Sequence, residues 1–241
     1  YRTARRYLVY FQSFSNTYAP LERLKALYDE ALAHPDVAGI VVGTRPDCVD
    51  ERKLDWFASL ARDRYVALEY GIESTFDATL RAVNRGHDFA CARRAVEITA
   101  ERGLAVGAHF ILGLPGETDA MLLDQVERIN ALPPTTVKFH QLQVFRSTPM
   151  AAEYDAVPER FRFWEPEEYI DLFVEILRRL RPGVVVERFA SEAPPRYHYG
   201  RNWGLVRNEQ LLAMLEKRLE ERNVYQGEFF TTFAADKLRQ R

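Results

Sequence analysis

Side chains that can bind a polar ligand or transfer protons recur near the ends of the short apolar segments in this 241-residue chain. They are Gln12 after YLVYF, Thr44 and Arg45 after VAGIVVG, Glu69 and Glu73 after YVAL, His109 within AVGAHFIL, and Lys138 and His140 within VKFH. In folds with parallel strands, the carboxyl ends of the strands and the loops after them form the active site. Each residue alone is more simply explained as a hydrogen-bonded core group or a helix cap. Their repetition predicts one shared polar cavity.

Three loops add candidates for binding a small ligand. GTRPD joins a strand to a helix, and its Asp47 is either part of a site or a helix cap. NRGH contains Arg85, whose guanidinium can bind a carboxylate, and Gly86, which can end a helix. GLPGE begins with Gly113, and its glycines let the backbone approach a ligand closely. This loop has neither the GK[ST] of a Walker loop nor the G-x-G-x-x-G pattern.

The composition excludes several classes of protein. Hydrophobic residues make up 47% of the chain, which is enough for a sizeable core and argues against general disorder. The net charge of −2 argues against a dedicated basic nucleic-acid binder. No run approaches the roughly 20 apolar residues of a membrane span, and the first residues lack a signal-peptide pattern.

The chain has two cysteines, Cys48 and Cys91, which lie far apart and form no C-x-x-C or metal-type spacing. This excludes a disulfide scaffold and favours a reducing, cytoplasmic location. We interpret both thiols as small buried hydrophobic groups. Because an iron–sulfur cluster is held by several thiolates, we predict no metal ligands in this chain, and any cluster needs ligands from elsewhere.

The elements that must position these residues alternate along the chain. Apolar runs predict strands at 7–11, 37–42, 65–68, 104–112, 135–145 and 184–189. Helical spacing predicts helices at 21–31, 54–60, 76–83, 88–102, 122–129, 169–180 and 208–222. Repeated strand–helix units indicate parallel strands linked by crossover helices, so the fold class is α/β, as an incomplete barrel or a large open sheet.

Two regions interrupt this alternation. The proline-containing stretch at 149–166 marks a boundary, which divides the chain into domains at 1–150 and 151–241. The segment after Phe189, ASEAPPRYHYGRNWG, predicts a C-terminal extension instead of another strand–helix unit.

Six motifs occur in an order that resembles a known family. They are YFQSFSNTYAP, GTRPDCV, LEYGIES, NRGHDFA, GAHFILGLPGET and VKFHQLQVFRSTPM. Together they resemble the later strands of the radical S-adenosylmethionine (radical SAM) superfamily, and more narrowly its YtqA/YhcC branch, which is related to the elongator-type enzymes. The C-terminal segment EKRLEERNVYQGEFF resembles the same branch, so the resemblance covers essentially the whole chain.

The resemblance implies a partial, TIM-like (β/α)6 barrel with a C-terminal α/β extension. The chain opens at what resembles the second barrel strand, so the first strand and the loop with the CxxxCxxC cluster motif are missing. We expect the cysteine ligands upstream of Tyr1, and we expect this fragment alone to be inactive. The barrel from its second strand onward then occupies 1–150, and 151–241 holds the last barrel helix and strand with the extension.

The resemblance also implies an enzyme that binds SAM and a [4Fe–4S] cluster and releases a 5′-deoxyadenosyl radical. The catalytic residues are not identified, and the implied SAM-binding residues follow the family's pattern. They are Gln12 near the methionine amino group, Thr44 and Arg45 at the next strand end, Glu69 as a further strand-end residue, Glu73 (Gln in many relatives) toward the ribose or sulfonium, Arg85 at the methionine carboxylate, His109 at the ribose or adenine, and Gly113 and Leu142 beside the adenine.

YtqA-type proteins are associated with modification of the wobble uridine of tRNA, so the resemblance implies tRNA as substrate. It also implies an electron donor such as flavodoxin or ferredoxin. The candidates for phosphate contacts are Arg178, Arg179, Arg181, Arg188, Arg196 and Arg201, and those for base stacking are Tyr197, Tyr199 and Trp203. The same residues are compatible with a solvated helix face and a packed C-terminal cap.

Two other functions stay open at this point. A cluster-free protein would keep the SAM pocket for binding or regulation without radical chemistry. A barrel lyase would use His109, His140 and Lys138 as acid, base or Schiff-base groups. Three closely spaced cysteines upstream of Tyr1 would favour the radical enzyme.

Overall fold

The computed structural model describes residues 4–204 and 206–231. Its strands form one six-stranded parallel sheet, in which neighbours in the chain are neighbours in the sheet. The strands are β1 (Tyr7–Phe11), β2 (Val37–Thr44), β3 (Tyr65–Glu73), β4 (Ala105–Leu112), β5 (Thr136–Gln141) and β6 (Val185–Arg188). This arrangement confirms the predicted α/β class.

Helices connect the strands, as parallel pairing requires. They are α1 (Leu21–Leu32), α2 (Glu51–Leu60), α3 (Asp77–Ala82), α4 (Phe89–Ala100), α5 (Asp119–Asn130), α6 (Pro149–Ala156), α7 (Pro166–Arg179) and α8 (Asn208–Arg222). Helix α7 shows why these segments are helical. Pro166 occupies its first turn, Glu168 accepts a hydrogen bond from the backbone N–H of Glu165, and Tyr169 and Phe173 form a fully buried stripe.

The described residues form two compact units. The first consists of 4–72, 87–109 and 132–136, and its core contains Ile40, Leu54 and Phe57. Tyr28 packs against Phe57 with ring centroids 5.6 Å apart. The continuous apolar sequence of β2 is typical of a strand covered on both faces.

The second unit consists of 73–86, 110–131, 137–204 and 206–231. Phe110, Phe139 and Phe173 form its aromatic core, with centroid separations of 5.8 and 5.4 Å along the series. The predicted boundary stretch at 149–166 contains α6, which the sequence reading missed. Ala151 of α6 packs in a cluster with Leu114. The division of domains at residue 150 stays a prediction.

Three strands have limits that differ from the predicted ones by two residues or more. Because β2 extends to Thr44, this residue ends the strand and does not follow it. Because β3 extends to Glu73, Glu69 and Glu73 lie within the strand and do not follow it. Because β5 ends at Gln141, Leu142 lies in the connection after the strand. In each of these strands the apolar run in the sequence and the paired backbone have different limits. The apolar run reflects burial of side chains, whereas the strand limits depend on hydrogen bonds to the neighbouring strand.

Candidate functional site

The carboxylate of Glu69 on β3 is the centre of a polar cluster in the first unit. Only 5% of Glu69 is exposed. The Tyr10 hydroxyl on β1 donates to Glu69 Oε2 at 2.6 Å, and Nε2 of His109 on β4 lies 2.9 Å from the same oxygen. These partners offset the cost of burying a carboxylate. Glu69 also orients the imidazole of His109, so this ring can accept or donate a proton at a fixed position.

Gly107 on β4 makes room for this cluster. A Cβ at this position would lie 2.7 Å from Cγ of Glu69 and 3.2 Å from Oγ1 of Thr136. The glycine is therefore required by the close approach of the Glu69 side chain. Sequence reasoning identified Glu69 and His109 but missed Tyr10, because a phenol within YLVYF equally suits an ordinary strand residue.

Gly107→Ala is expected to lower the free energy of unfolding by about 1–3 kcal/mol, because the added methyl group overpacks against Glu69. Gly183→Ala is the matched control, since nothing lies within 4 Å of a Cβ at Gly183 and its φ is not positive. Urea unfolding of both variants measures the difference. Equal stability of the two variants would show that Gly107 is not needed for the position of Glu69.

The end of β2 holds two more of the predicted residues in local contacts. The hydroxyls of Thr44 and Thr17 lie 2.6 Å apart, and both residues are buried. Arg45 donates to both carboxylate oxygens of Asp47, at 2.9 and 2.6 Å. Burial acts to raise the pKa of Asp47, but the hydrogen bond and charge of Arg45 outweigh it and hold this pKa below its ordinary value. Gln12 is exposed just after β1.

Arg85 and Glu73, both predicted to contact SAM, lie together in the second unit. Arg85 Nη2 is 3.0 Å from Glu73 Oε1. Glu73 has a φ of +72°, a left-handed conformation that is uncommon for a residue other than glycine. Strain of this kind is typical of functional sites. The turn after α3 positions Arg85, since its backbone N–H donates to the carbonyl of Leu80 at 2.9 Å.

The GLPGE loop follows β4 and contains two glycines with positive φ, Gly113 at +85° and Gly116 at +90°. A Cβ on Gly113 would lie 2.7 Å from the Trp164 ring, so the absence of a side chain here makes room for the tryptophan. The last residue of the loop, Glu117, is only 3% exposed and accepts a hydrogen bond from the Ser74 hydroxyl at 2.6 Å. Burial raises the pKa of Glu117 above its ordinary value.

This raised pKa predicts a pH-dependent contribution to stability. The native state binds the Glu117 proton more tightly than the unfolded state does, so the contribution is present at acid pH and is lost as the pH rises through the native-state pKa. We therefore expect Glu117→Gln to gain stability relative to the unmodified chain as the pH rises above the ordinary glutamate pKa of about 4.3. Urea unfolding as a function of pH measures the difference, with the exposed Glu101→Gln as control. A difference that is constant with pH would contradict the assignment.

Leu142, the last of the predicted contacts, is buried beside β4. Its backbone N–H donates to the carbonyl of Leu112 at 2.9 Å, and its side chain packs with Leu114 and Val144. The lyase candidate Lys138 lies 3.1 Å from Glu187 in an ion pair, an arrangement typical of a structural lysine.

A metal-binding group of three or more His, Cys, Asp or Glu side chains does not occur among residues 4–204 and 206–231. Burial raises the pKa of the Cys48 and Cys91 thiols, which disfavours the thiolate that binds metals. Within those same ranges, no helix has the length and apolar composition of a membrane span.

Comparisons with known proteins cover nearly the whole chain. The model for the radical SAM superfamily matches residues 3–129, and the model for the radical SAM C-terminal domain matches residues 134–221. YtqA of Bacillus subtilis is 33% identical over 225 residues, which are 93% of this chain and 69% of YtqA. YhcC of Escherichia coli K12 is 37% identical over 191 residues, which are 79% of this chain and 61% of YhcC.

A solved structure also shares the fold. The archaeal Elp3 of Methanocaldococcus infernus, with residues 1–46 deleted, aligns with a TM-score of 0.77 at 17% identity. The alignment covers 92% of this chain and 56% of the Elp3 chain. At this identity the likeness concerns the fold alone, and it agrees with the predicted fold class.

Proposed function

The chain belongs to the radical SAM superfamily, and from this premise we propose that it forms the SAM-binding part of a radical SAM enzyme. The observation that carries the proposal is the match of the superfamily model to residues 3–129, a range that contains the Glu69–His109 pair and the Glu73–Arg85 pair. When bound together with a [4Fe–4S] cluster, SAM supplies a 5′-deoxyadenosyl radical in this superfamily.

Several described residues fit SAM. Arg85 has five N–H donors, of which Glu73 occupies part, so the same guanidinium can also bind the methionine carboxylate. The imidazole of His109, oriented by Glu69, can donate to or accept from a ribose hydroxyl. Gly113 would contact the adenine through its backbone groups, because Trp164 fills the space that a side chain would take.

The residues of this chain do not fit a [4Fe–4S] cluster, because its two cysteines lack cluster spacing. The proposal therefore places the cysteine ligands upstream of Tyr1. An observation on β1 supports a further strand there. β1 is the edge strand of the sheet, and its Tyr7 and Leu8 are each 46% exposed. Exposed edge strands with large apolar side chains are normally covered.

For the whole protein, we extend the proposal to modification of the wobble uridine of tRNA in the cytoplasm, with an external electron donor. This extension rests on the resemblance to the YtqA type. The arginines of α7 give it little support. Arg178 pairs with Glu175 and Glu228 at 2.6 and 2.7 Å, and Arg179 pairs with Glu175 at 2.7 Å. These contacts, with the Phe229 ring 3.9 Å from the Arg178 guanidinium, are those of a partly buried ion-pair network that packs against the C-terminal segment.

Nucleoside mass spectrometry of total tRNA tests this extension. We expect deletion of the gene to remove one modified wobble uridine and to restore its unmodified precursor. Complementation with the unmodified gene should reverse the change, whereas complementation with an Arg85→Ala gene should not. Unchanged tRNA nucleosides after deletion would remove tRNA from the proposal and leave the radical SAM assignment in place.

A cluster-free SAM-binding protein is the second candidate, and the presence of only two cysteines in this chain favours it. Reductive cleavage of SAM distinguishes the two candidates, because only the radical enzyme releases 5′-deoxyadenosine.

A further inference from the structure

A cavity of about 370 Å³ lies in the second unit, between the chain after β5 and the segment after β6. This volume lies within the range of about 300–1,000 Å³ that is typical of small-molecule sites. Its walls are held by specific contacts. Gln141 Nε2 and Gln143 Nε2 both donate to the carbonyl of Ser191, each at 2.8 Å. The cavity is therefore preformed.

Two tryptophans line the cavity. Trp164 is buried, and its indole N–H donates to Asp119 at 3.2 Å. Trp203 is fixed against it, since its indole N–H donates to the carbonyl of Trp164 at 2.7 Å. Arg162 lies over the Trp164 ring at 5.4 Å and Trp164 is only 5% exposed, so this ring is covered by the protein. Trp203 is partly exposed and lines the cavity, so its ring can pack against a planar ligand.

His198 lines the same cavity and is only 7% exposed. Both of its ring nitrogens are buried and lack a hydrogen-bond partner among the described residues. Its ring is held in place by an edge-on contact with Phe145, with centroids 5.9 Å apart. A buried imidazole without partners is costly, since polar groups removed from water normally find hydrogen bonds. A ligand that both donates and accepts would satisfy it.

Charged groups stand at the edge of the cavity. Arg201 and Arg207 line it, and neither forms an ion pair with any residue in the described ranges. Glu165 and Glu192 also line it, and Glu192 is engaged by the backbone N–H of Asn208 at the start of α8. The arginines are thus the groups available to an anion.

From these contacts we infer that the cavity binds a nucleotide. Its base packs against Trp203, the polar edge of the base meets His198, and its phosphate pairs with Arg201 and Arg207. A base has the donor and acceptor edge that the imidazole requires, and a phosphate is an anion that arginine binds well. The inference does not depend on radical chemistry, so the failure of either proposal leaves the other standing.

Titration of the full chain with adenosine and uridine 5′-monophosphates tests the inference, followed by the NMR signals of the three indole N–H groups. We expect the Trp164 and Trp203 signals to move with saturation by one of the nucleotides at millimolar or lower concentration. Trp56 on α2 lies outside the cavity, and its signal should not move. No movement with either nucleotide, or equal movement of all three signals, would overturn the inference.

Two variants test the individual contacts. His198→Phe keeps the ring that packs on Phe145 and removes both nitrogens, and we expect about tenfold weaker binding. Arg201→Ala, an exposed change that spares the core, should weaken nucleotide binding about three- to tenfold but leave binding of the phosphate-free nucleoside unchanged. The exposed Arg52→Ala on α2 is the matched control and should have no effect.

SAM is the necessary competitor, because Leu142 both lines the cavity and is a predicted SAM contact. We expect the nucleotide signals to persist in excess SAM. Displacement by SAM would assign the cavity to SAM and overturn the inference. Unchanged nucleotide affinity in both His198→Phe and Arg201→Ala would overturn it as well.

Discussion

Arg85→Ala is expected to weaken SAM binding by about 30- to 150-fold in the protein that carries the cluster segment. The expectation follows from the loss of a charge-assisted pair with the methionine carboxylate, which costs about 2–3 kcal/mol. Arginine suits this role because it is charged at every working pH and offers parallel donors. The Glu73 pairing at 3.0 Å already holds the guanidinium in a defined place, which lowers the cost of ordering it.

Calorimetric titration with SAM of three variants, Arg85→Ala, Arg85→Lys and Arg81→Ala, tests this prediction. Arg85→Lys should recover only part of the loss, since an ammonium cannot reproduce the planar fork. Arg81→Ala on α3 is the matched control, an exposed arginine four residues away, and it should bind SAM normally. Fold and cluster content should be unchanged throughout. Unchanged affinity in Arg85→Ala would reduce this residue to a structural partner of Glu73.

The second large effect concerns the cluster. The 241-residue chain is expected to show no brown chromophore after anaerobic reconstitution with iron and sulfide, because its two thiols are too few and lack the spacing of cluster ligands. A longer protein that includes the predicted CxxxCxxC loop should bind one four-iron cluster. Iron and sulfide analysis with the visible absorption spectrum measures both.

Substitution of the two cysteines provides the control for this experiment. Cys48→Ala and Cys91→Ala in the longer protein should leave the iron content unchanged. A stable four-iron cluster on the 241-residue chain alone, or its loss on replacement of Cys48, would show that the ligands had been assigned to the wrong part of the protein.

Much of the fold could be predicted from the sequence because its elements have clear periods. The run YLVYF forms β1 as predicted, and the helix at 208–222 has the predicted limits. Parallel pairing follows from the alternation of strands and helices. Helix α6 was missed because it is short and has no amphipathic pattern, and its burial depends on the cluster around Leu114.

The sequence named residues that the structure places in polar clusters, but it did not reveal their contacts, and their role in a site stays a prediction. Glu69 and His109 were both identified, but their pairing at 2.9 Å depends on the register of β3 and β4, which a single sequence does not reveal. Arg85 and Glu73 were assigned separate roles on SAM, and the structure places them in one ion pair. His198 was not predicted, because a single histidine in a sequence does not show whether its ring is buried or has hydrogen-bond partners.

The central claim is that this chain positions SAM for reductive cleavage, and the measurement that tests it most directly is the formation of 5′-deoxyadenosine. The protein with its cluster segment is reconstituted, reduced under anaerobic conditions and supplied with SAM, and the products are separated by chromatography. We expect 5′-deoxyadenosine and methionine in equal amounts, with the yield strongly reduced in Arg85→Ala and normal in Arg81→Ala. A fully loaded and reduced protein that binds SAM but forms no 5′-deoxyadenosine would contradict the account.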